Sequence, residues 1–204
     1  MSEETPDPKH FFTERLPEQF NRALAQQEQA VVAAQKLLDG MRAVEATLRV
    51  IVEGEPFHLN IAGGRMSPAG APARTPVMTL ILDRPAFARV VREAGDSAMG
   101  FLGGLTGLAG EMKLTRSRLE NLRGLKGALR FEVVGSDGFV LTTHFGEDPI
   151  PESPDTTLSV DPDTYRELRA GKLDPQQAFM GGKIRVAGNM QLAMQLALAA
   201  LSPD

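Results

Sequence analysis

Apolar side chains return every three or four positions across residues 11–41: Phe12, Leu16, Phe20, Leu24, Val31, Ala34 and Leu38, with one longer step after Leu24. That spacing predicts a long helix. Pro17 is tolerated in a first turn and Gly40 marks a stop. The pattern then switches to strands. Residues 46–53 and 57–62 read as two strands joined into a hairpin across Gly54-Glu55-Pro56. Residues 63–76, rich in Gly, Ala and Pro, read as an exposed loop. A third strand is predicted at 77–82, and Asp83-Arg84-Pro85 opens a helix that runs to about Glu93.

The same order returns further along. Thr47-Leu48-Arg49-Val50, with Gly54 and Phe57, corresponds to Ala128-Leu129-Arg130-Phe131, with Gly135 and Phe139. Thr79-Leu80-Ile81-Leu82-Asp83, with Phe87 and Val90, corresponds to Thr157-Leu158-Ser159-Val160-Asp161, with Tyr165 and Leu168. Gly110-Glu111-Met112-Lys113-Leu114 echoes Gly182-Lys183-Ile184-Arg185-Val186. The offset shrinks from element to element, as expected if the first copy carries longer loops. This reads as a degenerate tandem duplication of one strand–strand–strand–helix–strand–helix unit, with chance similarity of short amphipathic strands as the alternative. A helix near 117–126 would close the first unit and lead into the second. The expected organisation is a mobile tail at 1–9, the long helix with the degenerate unit at 10–126, and the second unit at 127–204.

The most informative stretch is the last. Asp174-Pro175 opens a short helical turn ending at Phe179 and Met180; Gly181-Gly182 breaks the chain; Lys183-Ile184-Arg185-Val186 alternates like a half-buried strand; and Gly188-Asn189 precedes a helix apolar on almost every side. The run Ala178-Phe179-Met180-Gly181-Gly182-Lys183-Ile184-Arg185-Val186-Ala187-Gly188-Asn189-Met190-Gln191-Leu192-Ala193-Met194 resembles the C-terminal signature of the sterol carrier protein type two family. Thr156 to Asp161 as a strand, then a helix and Ala170-Gly171-Lys172-Leu173, fits the same pattern. The resemblance is specific over 156–201, weaker over 127–155, and only in outline before that. It implies an α+β fold of helix-covered mixed or antiparallel sheets, two sterol-carrier-like units in tandem with about five strands each, and an apolar tunnel in place of a catalytic site. By resemblance that tunnel would be lined by Phe131, Val133, Phe139, Leu141, Leu158, Leu168, Phe179, Met180 and Ile184. The last helix would add Met190, Ala193, Met194, Leu196 and Leu198. The strand residues in this set follow from alternation, where one register step exchanges the faces. The second unit departs from the family in having no clear third strand, because 145–155 is loop-like; its cavity is then smaller, or completed by the first unit.

Composition narrows the chemistry. A net charge of −4 leaves no electrostatic footprint for nucleic acid and no basic patch for anionic membranes. With no cysteine, disulfides and thiolate metal sites are excluded. The acidic N-terminus lacks an apolar leader segment and no run is long enough to span a bilayer, so the cytoplasm is the expected location. One Tyr and no Trp argue against a surface for stacking bases or sugars. His10, His58 and His144 are scattered without metal-ligand spacing or a neighbouring nucleophile. Asp161-Pro162-Asp163 is explained by helix capping. No cofactor or metal is expected, and the chain reads as non-enzymatic.

Two segments are candidates for binding. In residues 190–201 only Gln191 and Gln195 interrupt an apolar run wider than a surface helix needs. This helix is either buried between the units or one wall of a lipid tunnel, where Met180, Met190 and Met194 would adapt to ligands of different shape. Residues 97–110 interleave five glycines with Met99, Leu102, Leu105 and Leu108, beside Phe101. Such glycine density costs up to about 1 kcal/mol per residue in a helix. The segment reads as a moving lid over the tunnel, or as a segment that touches a membrane during lipid uptake, or as tight packing. Three functions follow. One is a carrier for a fatty acid, acyl-coenzyme A, phospholipid or sterol-like isoprenoid. The others are an accessory module presenting such a lipid to a biosynthetic enzyme, and a structural pseudo-dimer with closed cavities.

Overall fold

The computed structural model describes residues 8–94, 114–136 and 138–201, with side chains of the final helix described as far as Leu196. The glycine-rich segment with Met99, Phe101, Leu102, Leu105 and Leu108 lies outside the described residues. So does the echo at Gly110, apart from Leu114. The chain divides into two compact units, residues 1–40 and 41–204.

The first unit is helical. A turn at Pro8–His10 and a π-helical turn at Phe11–Arg15 lead into α1, Leu16–Arg42, as the spacing predicts. Pro17 sits in the first turn, where its missing N–H costs nothing. No side chain of α1 is buried.

In the second unit the chain runs β1 (Ala46–Val52), β2 (Glu55–Ala62), β3 (Arg65–Ala69), β4 (Pro76–Leu82) and α2 (Arg84–Ala94). It continues through α3 (Arg116–Arg123), β5 (Gly127–Val133), β6 (Phe139–Phe145), β7 (Thr156–Val160) and α4 (Pro162–Arg169). The last elements are α5 (Pro175–Met180), β8 (Arg185–Gly188) and α6 (Met190–Leu201). All the strands form one mixed sheet in the order β3-β2-β1-β4-β6-β5-β7-β8. The α+β class stands, but the expectation of separate sheets of about five strands does not: β4 pairs antiparallel with β6 and joins the two halves into a single eight-stranded sheet among the described residues. The boundary expected at 126/127 therefore falls inside one compact unit.

Residues 63–76 are a second correction. Gly63-Gly64 is a two-residue turn, and Arg65–Ala69 returns along β2 as the outermost strand. Pro68 obscures this strand in the sequence, yet an edge strand tolerates a residue without an amide donor.

The repeated order of elements is present in the fold. Each half is an antiparallel hairpin (β1–β2, β5–β6), a strand parallel to its first member (β4, β7), and a helix (α2, α4). Asp83 Oδ1 accepts from the Ala86 amide at 2.7 Å, and Asp161 Oδ1 accepts from Thr164 at 2.8 Å, so both helices start on the same cap. Asp161 also accepts from the Asp163 amide and the Thr164 hydroxyl, and these bonds hold its carboxyl below the usual range. The loop after β6 contains no strand, as the sequence suggests. The place beside β6 that β3 takes beside β2 is filled by β4 of the other half.

Cross-strand partners point to the same side of a sheet. The registers therefore gather Leu48, Val50, Leu80, Leu141, Phe131 and Leu158 on one face. α2, α4 and α6 cover that face, and the hydrophobic core lies between. The opposite face carries Arg49, Thr79, Thr142 and His144. Arg49 Nε donates to Thr79 Oγ1 at 3.0 Å.

His144 is buried there, and its imidazole is held below the ordinary 6.5, first by burial and then by the charge of Arg49. The unfolded chain takes up this proton more readily than the folded one. Stability from this group is thus complete above about pH 6.5 and is lost as pH falls through the depressed folded value. In His144→Gln, the difference in unfolding free energy between about pH 7.5 and pH 5 should be smaller than in the parent. An unchanged difference would assign the acid sensitivity to other groups.

Candidate functional site

An apolar cleft of about 490 Å³ opens in the first half, between α2 and the β1–β2 hairpin. Val50 and Val52 form its floor, Phe57 and Leu59 one wall, Phe87 and Ala88 of α2 the other. Its polar groups are Glu55 and Arg84, and the Arg84 guanidinium is 3.2 Å from Glu53, both exposed. Phe57 remains 46% exposed and Phe87 37%. These values are high for a ring on the covered face of a sheet and a ring on the helix that covers it. The volume is within the range of small-ligand sites.

The repeat explains why the cleft is open. Val50 pairs with Phe57 and Val52 with Glu55 in the first hairpin; Phe131 pairs with Leu141 and Val133 with Phe139 in the second. Aligned on that register, Val50 stands where the second half has Phe131, Glu55 where it has Phe139, and Phe87 where it has Tyr165. Phe57 therefore matches Leu141, not Phe139 as the sequence alone aligns them. In the second half Phe131, Phe139 and Tyr165 pack on one another, with ring centroids 5.3 to 6.2 Å apart, and the cleft beside them, about 500 Å³, is lined by Arg89, Arg92, Glu93 and Arg166 along with Phe139, so it is polar where the first is apolar. In the first half two of the three rings are replaced by a valine and a glutamate.

Polar contacts hold these rings in place. The Tyr165 hydroxyl donates to Glu93 of α2, and Arg89 Nε is 2.9 Å from the same carboxylate. Arg169 donates to the Glu93 carbonyl at 3.1 Å. The Arg89 guanidinium lies 4.9 Å above the Phe139 ring. Burial, reinforced by Glu93, pushes the Tyr165 phenol up, so it stays a neutral donor. The cluster ties α2 to α4 on the side of α2 away from the apolar cleft.

The residues selected from the sequence fall into three groups. Phe131, Val133, Phe139, Leu141, Leu168 and Leu196 are buried in the core, with Leu158 and Ile184 half-buried against it. The strand residues among them share the helix-covered face, where they meet as packed core. Phe179, Met180, Met190 and Met194 are exposed, Met180 by 79%, and Ala193 is half-buried. The side chain of Leu198 lies outside the described residues. α6 is thus two-sided over its described turns: Leu192 and Leu196 face the core, Met190 and Met194 face out. The cleft-lining residues Val50, Val52, Phe57, Leu59, Phe87 and Ala88 were not singled out. The signal for the cleft was Val50 and Glu55, a small and a charged residue where the second half has the rings of Phe131 and Phe139.

Among the described residues no three His, Asp or Glu side chains gather in a group able to hold a metal ion. No described helix is long and apolar enough to cross a membrane.

Residues 112–200 match the model of the SCP-2 sterol transfer family. Sterol carrier protein 2 of Rattus norvegicus is 33% identical over 120 residues, covering 54% of this chain and 21% of its own length. Hydroxysteroid dehydrogenase-like protein 2 of Bos taurus is 29% identical over 82 residues, covering 37% of this chain and 20% of its own. The chain spans about a fifth of the length of these relatives. Among solved structures, sterol carrier protein 2 like 2 of Aedes aegypti aligns over 55% of this chain and 90% of its own, at 17% identity and a TM-score of 0.30.

Proposed function

We propose that this chain is a non-enzymatic lipid-binding and lipid-transfer protein that holds an apolar ligand in the cleft between α2 and the β1–β2 hairpin. The observation that carries the proposal is the contrast between the halves: one stacks Phe131, Phe139 and Tyr165 beside a polar cleft, and the other leaves an apolar one. The family model that residues 112–200 match, and relatives named as sterol carriers, support a lipid as the ligand. The two halves are then a duplicated unit divided near residue 126, in which the second keeps the family signature and a closed core, and the first binds. Each methylene buried is worth about 0.8 kcal/mol. About ten in the cleft would contribute roughly 8 kcal/mol, the micromolar range before entropic costs are subtracted. Arg84 is already paired with Glu53, and Glu55 adds a negative charge, so the apolar part of the ligand supplies the affinity. The cysteine-free composition fits a reducing compartment, and the cytoplasm is the proposed location.

A second reading has this chain present a lipid to an enzyme. It is favoured by relatives named as a dehydrogenase-like protein and a peroxisomal multifunctional enzyme, of which the matching segment is a minor part. Native mass spectrometry of the purified chain, with extraction of bound molecules and titration with a fluorescent fatty acid, tests the common core of both readings. Bound lipid at near-unit stoichiometry, or saturable uptake, is the expected result. A bare chain that takes up no probe would leave a structural pseudo-dimer.

A further inference from the structure

We infer that α1 pairs with α1 of a second copy of this chain as a coiled coil. The observation is a spacing the lipid-binding reading leaves unused. Phe20, Leu24, Gln27, Val31, Ala34 and Leu38 follow one another at steps of four, three, four, three and four residues. This is the seam of a left-handed coiled coil, sustained over nearly three heptads. The gap in the apolar stripe after Leu24 is Gln27, which stands in register within the seam. A single polar residue at such a position sets alignment and partner number at some cost in stability.

None of the seam side chains is buried: Phe20 is 68% exposed, Leu24 51%, Val31 69% and Leu38 40%. Isolated single helices gain most of their stability from packing an apolar face, and this one spans 27 residues, about 40 Å. The charges choose among occupants. Interfacial helices that lie on membranes carry a Lys- and Arg-rich polar face. Here Glu18, Glu28 and Asp39 balance Arg22, Lys36 and Arg42, and the remaining polar positions are mostly glutamine. Such a helix has no electrostatic attraction to an anionic bilayer. Nor does it carry the one-signed surface that a charged partner would recognise. It meets an identical helix with neither attraction nor repulsion of net charge, and the seam alone decides.

Sedimentation equilibrium of the full chain at micromolar concentrations tests this, with Val31→Asp and Leu24→Asp as variants whose exposed positions leave the fold of residues 41–204 intact, checked by thermal unfolding. The parent is expected to be dimeric. Each variant should raise the dimer dissociation constant at least a hundredfold while leaving uptake of the fluorescent fatty acid unchanged, and Gln27→Leu should tighten the dimer or shift it to a higher oligomer. A monomeric parent, or a dimer indifferent to Val31→Asp and Leu24→Asp, overturns the inference. So does flotation of the parent with neutral phosphatidylcholine vesicles that Val31→Asp abolishes, because the stripe would then face lipid.

Discussion

Gly188→Ala is expected to destabilise the protein by about 3 kcal/mol or more, a large part of the 5–15 kcal/mol available to a domain. Gly188 has φ +91° where β8 hands over to α6, and a β-carbon built there would lie 2.2 Å from the Asp155 carbonyl oxygen and 3.3 Å from Thr156 Cα. Both obstacles are backbone, and neither is free to move. The Asp155 amide donates to the Ala128 carbonyl at 2.8 Å, its carboxylate accepts from the Ala128 amide at 2.7 Å, and its carbonyl accepts from the Asn189 amide at 2.8 Å. Asn189 is in turn the cap of α6, accepting from the Gln191 and Leu192 amides. Relieving the overlap means breaking bonds that pin β5, β7 and the last helix together, at about 1 kcal/mol each, on top of about 1–3 kcal/mol of backbone strain. Gly182→Ala is the control. It too has a positive φ, +71°, but a β-carbon there meets nothing within 4 Å. It should cost only about 1 kcal/mol. Denaturant unfolding of the two variants separates crowding from conformation; equal losses would remove the role assigned to Asp155.

What the sequence revealed and what it concealed divide along physical lines. The long helix was legible because its stripe repeats over many turns, and the cap at Asp161 because capping is a local interaction between near neighbours. The last helix was legible from Gly188-Asn189 and the leucine-alanine run. β3 was concealed because an edge strand needs neither alternation nor a full set of amides, so Pro68 and the surrounding glycines gave it the composition of a loop. The β4–β6 pairing was concealed because nothing local in Thr79 or His144 says which edge a strand meets. The open cleft was concealed for a subtler reason. The first hairpin turns in two residues and the second in five, so aligning Phe57 with Phe139 is natural in the sequence and wrong by two positions in the sheet. Only the hairpin register shows that Glu55 and Val50 occupy the places of two rings. The lining residues chosen by alternation lie on the helix-covered face, and a face is core or cavity according to what fills it.

Phe57→Asp is expected to abolish saturable uptake of a fluorescent fatty acid while the protein stays folded. The ring walls the cleft opposite Phe87 and is nearly half exposed in the empty site, so its replacement removes little packing from the core. In the occupied site the loss is larger. A phenylalanine side chain fully buried against a ligand is worth about 1.5–3 kcal/mol, and a carboxylate facing an acyl chain adds a desolvation cost of a few kcal/mol. Together these weaken binding at least a hundredfold, at about 1.4 kcal/mol per factor of ten. Met194→Asp sets the opposing test. The resemblance alone places Met194 on the wall of a tunnel, and there an aspartate would also abolish uptake. In the structure Met194 is 58% exposed and does not line the cleft, so the proposed site predicts uptake close to the parent. Titrating both variants, with thermal unfolding as a check on folding, assigns the ligand to one place. Loss in Phe57→Asp alone puts it in the first half, between α2 and the β1–β2 hairpin. Loss in Met194→Asp alone moves it to the last helix and reduces the cleft to surface relief. Loss in both would make α6 part of the route by which a lipid enters or leaves a site whose affinity comes from the hairpin and α2.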